Sequence, residues 1–318
     1  MAEIVLGIGT SHSTQCSIGP EWWETQGQLD RHRTPFDELE RNAPPWLAGE
    51  LRREVWERKF HEVQAAITRL AKIIDTGAPD VLVVIGDDQK ELFLDDSMPV
   101  FSIFRGTEIW DLPGSPDGLS PSHLAGRWAV HADAPEAYPT DAALATHLIE
   151  RLVEDSFDVS QFTRQPAGRS LGHAWTFIRR RLRADRPPIP MVPVLINTYF
   201  PPNQPSASRC HALGRALRRA IESWPAHVRV GIVASGGLSH FVVDEKLDRG
   251  IIDAMQRHDA SWLSNVPASE LQAGSSEILN WIAGAGALEH LTMELVAYVP
   301  GYRTVAGTGC GMTFAAWQ

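Results

Sequence analysis

Short apolar runs alternate along the chain with longer segments in which apolar residues recur at helical spacing. The clearest run covers residues 81–85, where Val, Leu, Val, Val and Ile follow one another without a polar interruption. Such a run is typical of a parallel strand that is covered on both faces. Comparable runs predict strands at 4–8, 100–104, 157–162, 189–196 and 228–234. Pro188, Pro190 and Pro193 favour an edge position or a distorted pleat for the run at 189–196, because proline lacks the backbone donor.

Segments with apolar residues at every third or fourth position predict helices between and after these strands. They cover residues 51–74, 135–154, 174–182, 206–224, 245–257, 269–283 and 288–297. Because strands and helices alternate and no repeat is visible, we predict a single α/β domain over residues 1–318, with a largely parallel central sheet flanked by helices. Residues 20–48 are rich in Trp, Pro and charge without a clear period. We interpret them as an irregular insertion and a candidate lid.

Polar groups directly follow three of the predicted strands. These are Gly9-Thr10-Ser11-His12, then Asp87-Asp88-Gln89 with Glu91, and finally Ser235-Gly236-Gly237-Leu238-Ser239-His240. Because α/β sheets bind ligands beyond the carboxyl ends of their strands, we expect one cleft there, although a solvated acidic turn is the alternative for the second segment. The Gly7-x-Gly9 pair does not predict a dinucleotide site, since His12 stands where that fingerprint requires a third glycine.

Composition narrows the function classes. A hydrophobic fraction of 43% and a charged fraction of 21% are ordinary for a globular enzyme. The net charge of -10, with Arg179-Arg180-Arg181 as the one short basic run, argues against a nucleic-acid partner. Cys16, Cys210 and Cys310 are scattered, which disfavours a disulfide framework and a zinc-thiolate site and indicates a reducing compartment. Neither a secretory signal nor an apolar stretch of spanning length is visible, so we expect a cytoplasmic protein without a membrane partner.

Taken together and in order, the motifs resemble the class III extradiol dioxygenases of LigB type, a family that includes protocatechuate 4,5-dioxygenase and the gallate and methylgallate dioxygenases. The resemblance runs almost from end to end and rests on several short motifs. They are Gly7-Ile8-Gly9-Thr10-Ser11-His12, the acidic strand tip with Met98-Pro99, Gly172-His173, Pro201-Pro202 with Ser208-Arg209-Cys210, Gly236-Gly237-Leu238-Ser239-His240, and Ser276-Glu277 with Trp281.

The resemblance implies a set of site residues. In that family two histidines and one carboxylate hold Fe(II) and leave positions open for the substrate and O2. The first histidine ligand maps to His12 and the carboxylate to Glu277. The family's acid–base histidine maps to His240, and a further active-site histidine that contacts substrate maps to His173.

One ligand departs from the family pattern. The family's Asn-Asp-His motif falls on Asp87-Asp88-Gln89, so Gln89 stands in place of the second histidine ligand. An amide oxygen is a weaker and harder donor than imidazole, so Gln89 as a ligand predicts weaker binding of Fe(II) and leaves Mn or Zn as alternatives. Asp88 or Glu91 could instead supply a second carboxylate. A third alternative is a site without metal, in which Gln89 binds substrate through its amide.

The sequence therefore leaves three functions open. The first is an Fe(II)-dependent extradiol-type dioxygenase that uses O2 on a phenolic or catecholic aromatic acid, with His240 as general acid and base. Its substrate contacts are Tyr302, Arg303 and Asp88, although Arg303 can equally be structural. The second uses a divalent metal for O2-independent hydrolytic or C–C lyase chemistry on an aromatic carbonyl substrate. The third is a non-catalytic partner subunit. We expect a homodimer by default, and a small helical companion subunit as in some relatives.

Overall fold

A nine-stranded mixed sheet forms the centre of the protein in the computed structural model, which describes all residues from Met1 to Gln318. The strands are β1 Glu3–Thr10, β2 Val81–Asp87, β3 Phe101–Phe104, β4 Glu108–Asp111, β5 Glu136–Pro139, β6 Ser160–Phe162, β7 Met191–Ile196, β8 Arg229–Ser235, β9 His240–Val242, β10 Met293–Tyr302 and β11 Thr308–Trp317. The order is β10-β11-β1-β8-β2-β7-β3-β6, β9 also pairs with β11, and β4 and β5 form a separate two-stranded sheet.

The four central strands β1, β8, β2 and β7 run parallel to one another. Towards one edge β11 pairs antiparallel with β1, and towards the other β3 pairs antiparallel with β7. The prediction of one α/β domain with a largely parallel sheet core is therefore confirmed. Since parallel strands end at the same edge of a sheet, the residues that follow β1, β8 and β2 meet there.

Helices cover both faces of the sheet. They are α1 Trp23–Asp30, α2 Phe36–Arg41, α3 Leu47–Glu50, α4 Arg53–Gly77, α5 Pro121–Gly126, α6 Ala142–Glu154, α7 His173–Phe177, α8 Ala207–Ser223, α9 Glu245–Gln256, α10 Ala260–Ser264 and α11 Ile278–Ala287. Short 3-10 turns lie at Thr14–Cys16, Pro20–Trp22, Arg127–Ala129 and Ala273–Glu277, and a π-helical turn lies at Ile178–Leu182. None of the helices has the length and apolar character needed to cross a membrane.

Each face of the sheet has its own apolar core. The long helix α4 buries Val63, Ile67, Leu70 and Ile74 against one face, in the spacing of a single helical stripe. On the other face α8 and α11 bury nearly all of their apolar side chains together with α6. The central strands are therefore packed on both faces, which fixes where the loops at their carboxyl ends begin.

Of the two alternatives for residues 189–196, the position at the edge of the sheet was wrong. Strand β7 lies inside the sheet, between β2 and β3. Pro193 is opposite Val84 of β2, whereas the ladder with β3 begins one residue later, at Val194. The proline therefore lies where β7 has only one bonded neighbour, so its missing donor is tolerated.

The helix predicted at 288–297 was also wrong, since this segment runs into strand β10. The antiparallel pairing of Met293–Tyr302 with β11, the next strand in the chain, overrides the helical spacing of its apolar residues, because strand formation depends on the partner strand. The helix predicted at 135–154 begins instead with strand β5, and the helix predicted at 269–283 begins with a 3-10 turn. The insertion at 20–48 is not irregular throughout, because it contains α1, α2 and the start of α3.

Candidate metal centre and active site

The ends of three adjacent parallel strands and one helix bring the site together. His12 follows β1 by two residues, and Asp87 is the last residue of β2. Strand β8 ends at Ser235 and leads through two glycines to His240. Glu277 stands directly before α11. The strand tips that the sequence singled out therefore converge as predicted.

A group of potential metal ligands lies at this meeting point. Ligand atoms of His12, Asp87 and Glu277 all lie within 4.8 Å of one another, and all three residues are buried. Burial lowers the pKa of His12, which keeps its imidazole in the neutral form that binds metals. One imidazole and two carboxylates could hold a divalent cation.

Hydrogen bonding fixes the orientation of the His12 ring. The Ser235 hydroxyl donates to the Ala174 carbonyl at 2.6 Å, so its oxygen accepts from Nδ1–H of His12 at 3.0 Å. The other nitrogen, Nε2, then carries a lone pair. It faces Glu277 Oε2 at 3.3 Å and has no hydrogen-bond partner although it is buried. An unpartnered buried imidazole nitrogen between carboxylates fits a metal ligand.

Glu277 is the most heavily bonded residue of the group. Its Oε2 accepts from the Gly237 backbone N–H at 2.7 Å, and its Oε1 accepts from the Tyr199 hydroxyl at 2.8 Å. Although burial opposes ionisation, the positive charge of His240 holds the pKa of Glu277 well below its usual range. Gly236 has a φ of 135°, and a Cβ there would lie 2.9 Å from Glu277 Oε2, so glycine is required for this close approach.

Asp87 is fully buried and lies behind the cavity wall. Its Oδ1 accepts from Asn280 Nδ2 at 2.9 Å and its Oδ2 from Gln89 Nε2 at 3.3 Å. Burial, together with the nearby charge of Glu277, raises the pKa of Asp87 to about 8. Two buried carboxylates this close are unfavourable without a cation, so the centre as a whole favours positive charge.

His240 and His173 lie on either side of this group. Nε2 of His240 is 3.2 Å from Glu277 Oε1 and 3.3 Å from the Tyr199 hydroxyl, while Nδ1 lies 3.2 Å from the Leu238 carbonyl. The His173 ring is 4.4 Å from the His12 ring, and its Nδ1 is 2.9 Å from Glu91 Oε1. Although burial opposes protonation, the charge of Glu91 raises the pKa of His173 to about 9.

A cavity of about 420 Å³ opens over these groups. Its lining includes the ligand group and its neighbours, namely His12, Gln89, Glu91, His173, Tyr199, His240 and Glu277. It also includes Arg33, His123, Arg127, His131 and Arg303, and only a few apolar side chains such as Phe241. The cavity is therefore mainly polar and contains both acidic and cationic side chains.

The structure does not bring every predicted residue to the cavity. Asp88 is tied to the backbone, because its carboxylate accepts from the N–H groups of Glu91, Leu92 and Phe93 at 2.8 to 3.2 Å. Tyr302 is buried elsewhere and its hydroxyl donates to Glu245 at 3.0 Å. We therefore do not assign Asp88 or Tyr302 to substrate binding.

Arg303 lines the cavity, but its positive charge is already neutralised by Asp30. Its guanidinium forms a two-point pair with the buried Asp30, with Nε–Oδ2 at 2.7 Å and Nη2–Oδ1 at 3.0 Å, and Nη1 donates to Gln15. The pair ties α1 to the end of β10. This geometry favours the structural role that the sequence left open for Arg303.

Sequence reasoning missed Asp87 and Tyr199. A signal existed for Asp87, because it lies at the carboxyl end of a strand, where α/β sheets bind ligands. No comparable signal existed for Tyr199, which lies in the loop after β7 and reaches Glu277 only through the fold.

Comparison with known proteins shows which family the chain is similar to. The family model described as "Catalytic LigB subunit of aromatic ring-opening dioxygenase" matches residues 44–313. Gallate dioxygenase of Pseudomonas putida is 33% identical over 160 residues, which are 46% of this chain and 45% of that protein. The 2,3-dihydroxyphenylpropionate/2,3-dihydroxicinnamic acid 1,2-dioxygenases are 28% identical over 179 residues in Comamonas testosteroni and 30% over 230 residues in Burkholderia vietnamiensis.

These two matches cover 56% and 68% of this chain and 48% and 64% of the respective proteins. The chain thus spans about half of the length of the first two relatives, and somewhat more of the third. The family model, in contrast, extends over most of the chain, including Asp87, His240 and Glu277. The resemblance drawn from the motifs is thereby confirmed, and the chain belongs to the LigB family of catalytic subunits of aromatic ring-opening dioxygenases.

Proposed function

We propose that this protein is an extradiol-type dioxygenase that opens the ring of a phenolic or catecholic aromatic acid with O2. The observation that carries the proposal is the pairing, in one cavity, of a buried ligand group around His12 and Glu277 with the proton-carrying side chain of His240. Ring opening next to a diol needs both a metal position and a base within reach of the hydroxyl. Family membership supports the same reaction class.

The ligand group fits a non-haem divalent metal. The neutral His12 ring offers an unpartnered Nε2, and Glu277 offers a carboxylate that is ionised beside it. When bound, such a metal would acidify a substrate hydroxyl and provide a position for O2. The family resemblance points to Fe(II) as the metal, with Mn or Zn as alternatives.

His240 is the proposed general base and acid. Its Nδ1–H donates to the Leu238 carbonyl at 3.2 Å, which leaves Nε2 as the nitrogen that faces the cavity. Although burial opposes protonation, the charge of Glu277, whose Oε1 lies 3.2 Å from this nitrogen, raises the pKa of His240 well above its usual value. With Glu277 bound to a metal, that charge would no longer hold a proton on Nε2, and His240 would be able to take the proton of a substrate hydroxyl and return it after ring opening. His173 is the proposed second contact, because Glu91 binds its Nδ1–H and its Nε2 remains free to bind a substrate oxygen.

Two arginines of the cavity lining support an acid as substrate. Arg33 lines the cavity without a carboxylate partner, and the nearest acid to Arg127 is the exposed Asp133 at 3.9 Å. Because Asp30 neutralises Arg303, Arg33 and Arg127 are the better candidates for a substrate carboxylate. A polar cavity of this kind suits an aromatic ring that carries several oxygen substituents.

No observation favours the two alternatives from the sequence. A non-catalytic subunit would not need an unpartnered buried imidazole beside two buried acids, because such an arrangement is unfavourable without a ligand. Nothing in the cavity specifically suits an O2-independent lyase. A homodimer and a companion subunit stay predictions.

The test is aerobic turnover after metal reconstitution. Metal-free protein is loaded under argon with Fe(II) or, in parallel samples, with Mn2+ or Zn2+, and is then mixed with gallate, protocatechuate or 2,3-dihydroxyphenylpropionate in an oxygen electrode. We expect oxygen uptake in a one-to-one ratio with loss of one of these phenols, and its loss in His240→Gln and Glu277→Ala. Absence of uptake with all of them would refute the proposal, and product formation under argon would favour the lyase instead.

A further inference from the structure

The departure from the family's Asn-Asp-His motif involves two positions and not one. Gln89 replaces the imidazole, and Asp87 replaces the neutral amide two residues earlier. Compared with the family motif, this chain has one neutral ligand fewer and one carboxylate more, and the two residues lie side by side, because Gln89 Nε2 is 3.3 Å from Asp87 Oδ2. The two changes together suggest that the ligand set was altered and not simply weakened.

We propose that Asp87 takes the place of the second imidazole, so that His12, Asp87 and Glu277 hold a hard divalent cation of the Mn2+ class. This inference rests on the proposed function only in assuming that the ligand group binds a metal. It differs from the family pattern in the number of imidazole ligands, which falls to one, and in the number of carboxylates, which rises to two.

The geometry selects Asp87 over the other acids of the strand tip. Its carboxylate lies in the group whose ligand atoms are within 4.8 Å of one another. Asp88 is occupied by backbone N–H groups, and Glu91 Oε1 accepts from both the backbone N–H and Nδ1 of His173. Neither of these acids can turn to the centre without losing those bonds.

Gln89 is assigned a positioning role. Its Nε2 donates to Glu277 Oε1 at 3.0 Å and to Asp87 Oδ2 at 3.3 Å, so one amide group bridges the two carboxylates. An amide N–H does not bind a cation, whereas it does orient the acids that do. The orphaned Nε2 of His12, a residue only 3% exposed, is an independent sign that a ligand belongs at this point.

Charge explains the expected metal preference. One neutral imidazole and two carboxylates balance a divalent cation, whereas two imidazoles and one carboxylate leave one positive charge. Oxygen donors favour Mg, Ca and Mn, and imidazole favours Zn, Fe, Ni and Cu. We therefore expect the preference for Zn2+ over Mn2+ to be weaker in this centre than in one with the family motif.

The test compares metal affinity without reference to turnover. Metal-free wild-type protein and variants are titrated with MnCl2 and ZnCl2 in a calorimeter. We expect Asp87→Asn to weaken Mn2+ binding by more than about 100-fold and Gln89→Ala by about 10-fold, since loss of a residue that orients a ligand costs less than loss of the ligand. Asp248→Asn, which removes another buried carboxylate outside the centre, is the matched control and should leave the affinity within about two-fold.

The double variant Asp87→Asn/Gln89→His recreates the family motif. We expect it to bind both metals, with the preference for Zn2+ over Mn2+ increased by about 10-fold or more. Pulsed electron paramagnetic resonance of Mn2+ adds a readout on the wild type itself, which does not depend on a variant being folded. It should detect one imidazole nitrogen in wild-type protein and two in the double variant.

Three results would overturn the inference. They are Mn2+ affinity that is unchanged in Asp87→Asn but lost in Gln89→Ala, two imidazole nitrogens bound to Mn2+ in the wild type, and folded wild-type protein that binds neither metal. If metal binding follows the expectation but no phenol supports oxygen uptake, the inference stands and the proposed reaction fails.

Discussion

The buried pair of Arg303 and Asp30 gives the sharpest test of how the cavity wall is built. Arg303 is 5% exposed and Asp30 is fully buried, and two hydrogen bonds join them. Replacing Arg303 by Met keeps the aliphatic volume but leaves the Asp30 carboxylate buried without its partner. We expect a loss of about 3–5 kcal/mol in the free energy of unfolding, the usual cost of breaking a buried ion pair from one side.

Urea denaturation of the metal-free protein measures this loss. Arg31→Met is the matched control, because Arg31 is exposed and follows Asp30 directly in the chain, and its guanidinium carbon lies 4.1 Å from the centre of the Phe36 ring. Its loss should cost about 1 kcal/mol or less. The double variant Arg303→Met/Asp30→Asn should recover part of the stability, since it removes the unpaired charge.

The same variants separate a structural from a substrate-binding role. If Arg303→Met costs less than about 1 kcal/mol in stability but raises KM for carboxylated phenols alone, the reasoning is refuted and Arg303 binds substrate after all. A large loss of stability with a KM change equal for acids and for uncharged phenols would agree with the pair that ties α1 to β10.

Three further predictions concern two residues of the cavity lining and the buried Asp248 of α9. Tyr199→Phe removes the hydroxyl that donates to Glu277 Oε1, so kcat for ring opening should fall about 10-fold, and an unchanged kcat would contradict this role. Arg33→Gln should raise KM about 10-fold for gallate but not for pyrogallol, which lacks the carboxylate, and an equal rise for both would exclude a carboxylate contact. Burial raises the pKa of Asp248 to about 7 from 3.8, so its contribution to stability is full below about pH 4 and is lost as the pH rises through 7. Asp248→Asn should therefore remove on the order of 4 kcal/mol of the fall in unfolding free energy between about pH 4 and pH 9, and identical pH profiles in urea denaturation would contradict it.

Much of the fold could be predicted because its signals are local. The run of residues at 81–85 identifies a buried strand without knowledge of its neighbours, and the stripe along α4 identifies the helix face that is buried. Strand β10 was misread because its identity depends on pairing with β11. Pro193 was misread for a similar reason, since only the register shows that the ladder with β3 begins after it.

The residues of the candidate site could likewise be predicted only where a local motif marks them. His12, His240 and Glu277 could be named from motifs, because a family motif carries the long-range arrangement within a short stretch. Two contacts could not be predicted, because they join residues that are far apart in the chain and no local pattern indicates them. They are Tyr199 with Glu277, and Arg303 with Asp30. The choice of Asp87 over Asp88 needed the structure, because only the fold shows that Asp87 joins the ligand group and that Asp88 is bound to backbone N–H groups.

The two departures at the strand tip are best understood as one coupled change. Asp87→Asn alone would leave His12 and Glu277 as the only strong ligands, and Gln89→His alone would add an imidazole beside two acids and remove the amide that bridges them. Each single step from this sequence towards the family motif therefore disturbs the centre, whereas both steps together restore a complete set of three ligands. Residues that share partners in this way give non-additive effects on binding. Metal affinities that were simply additive over Asp87→Asn and Gln89→His would mean that these side chains act independently, and that Asp87 does not replace the lost histidine.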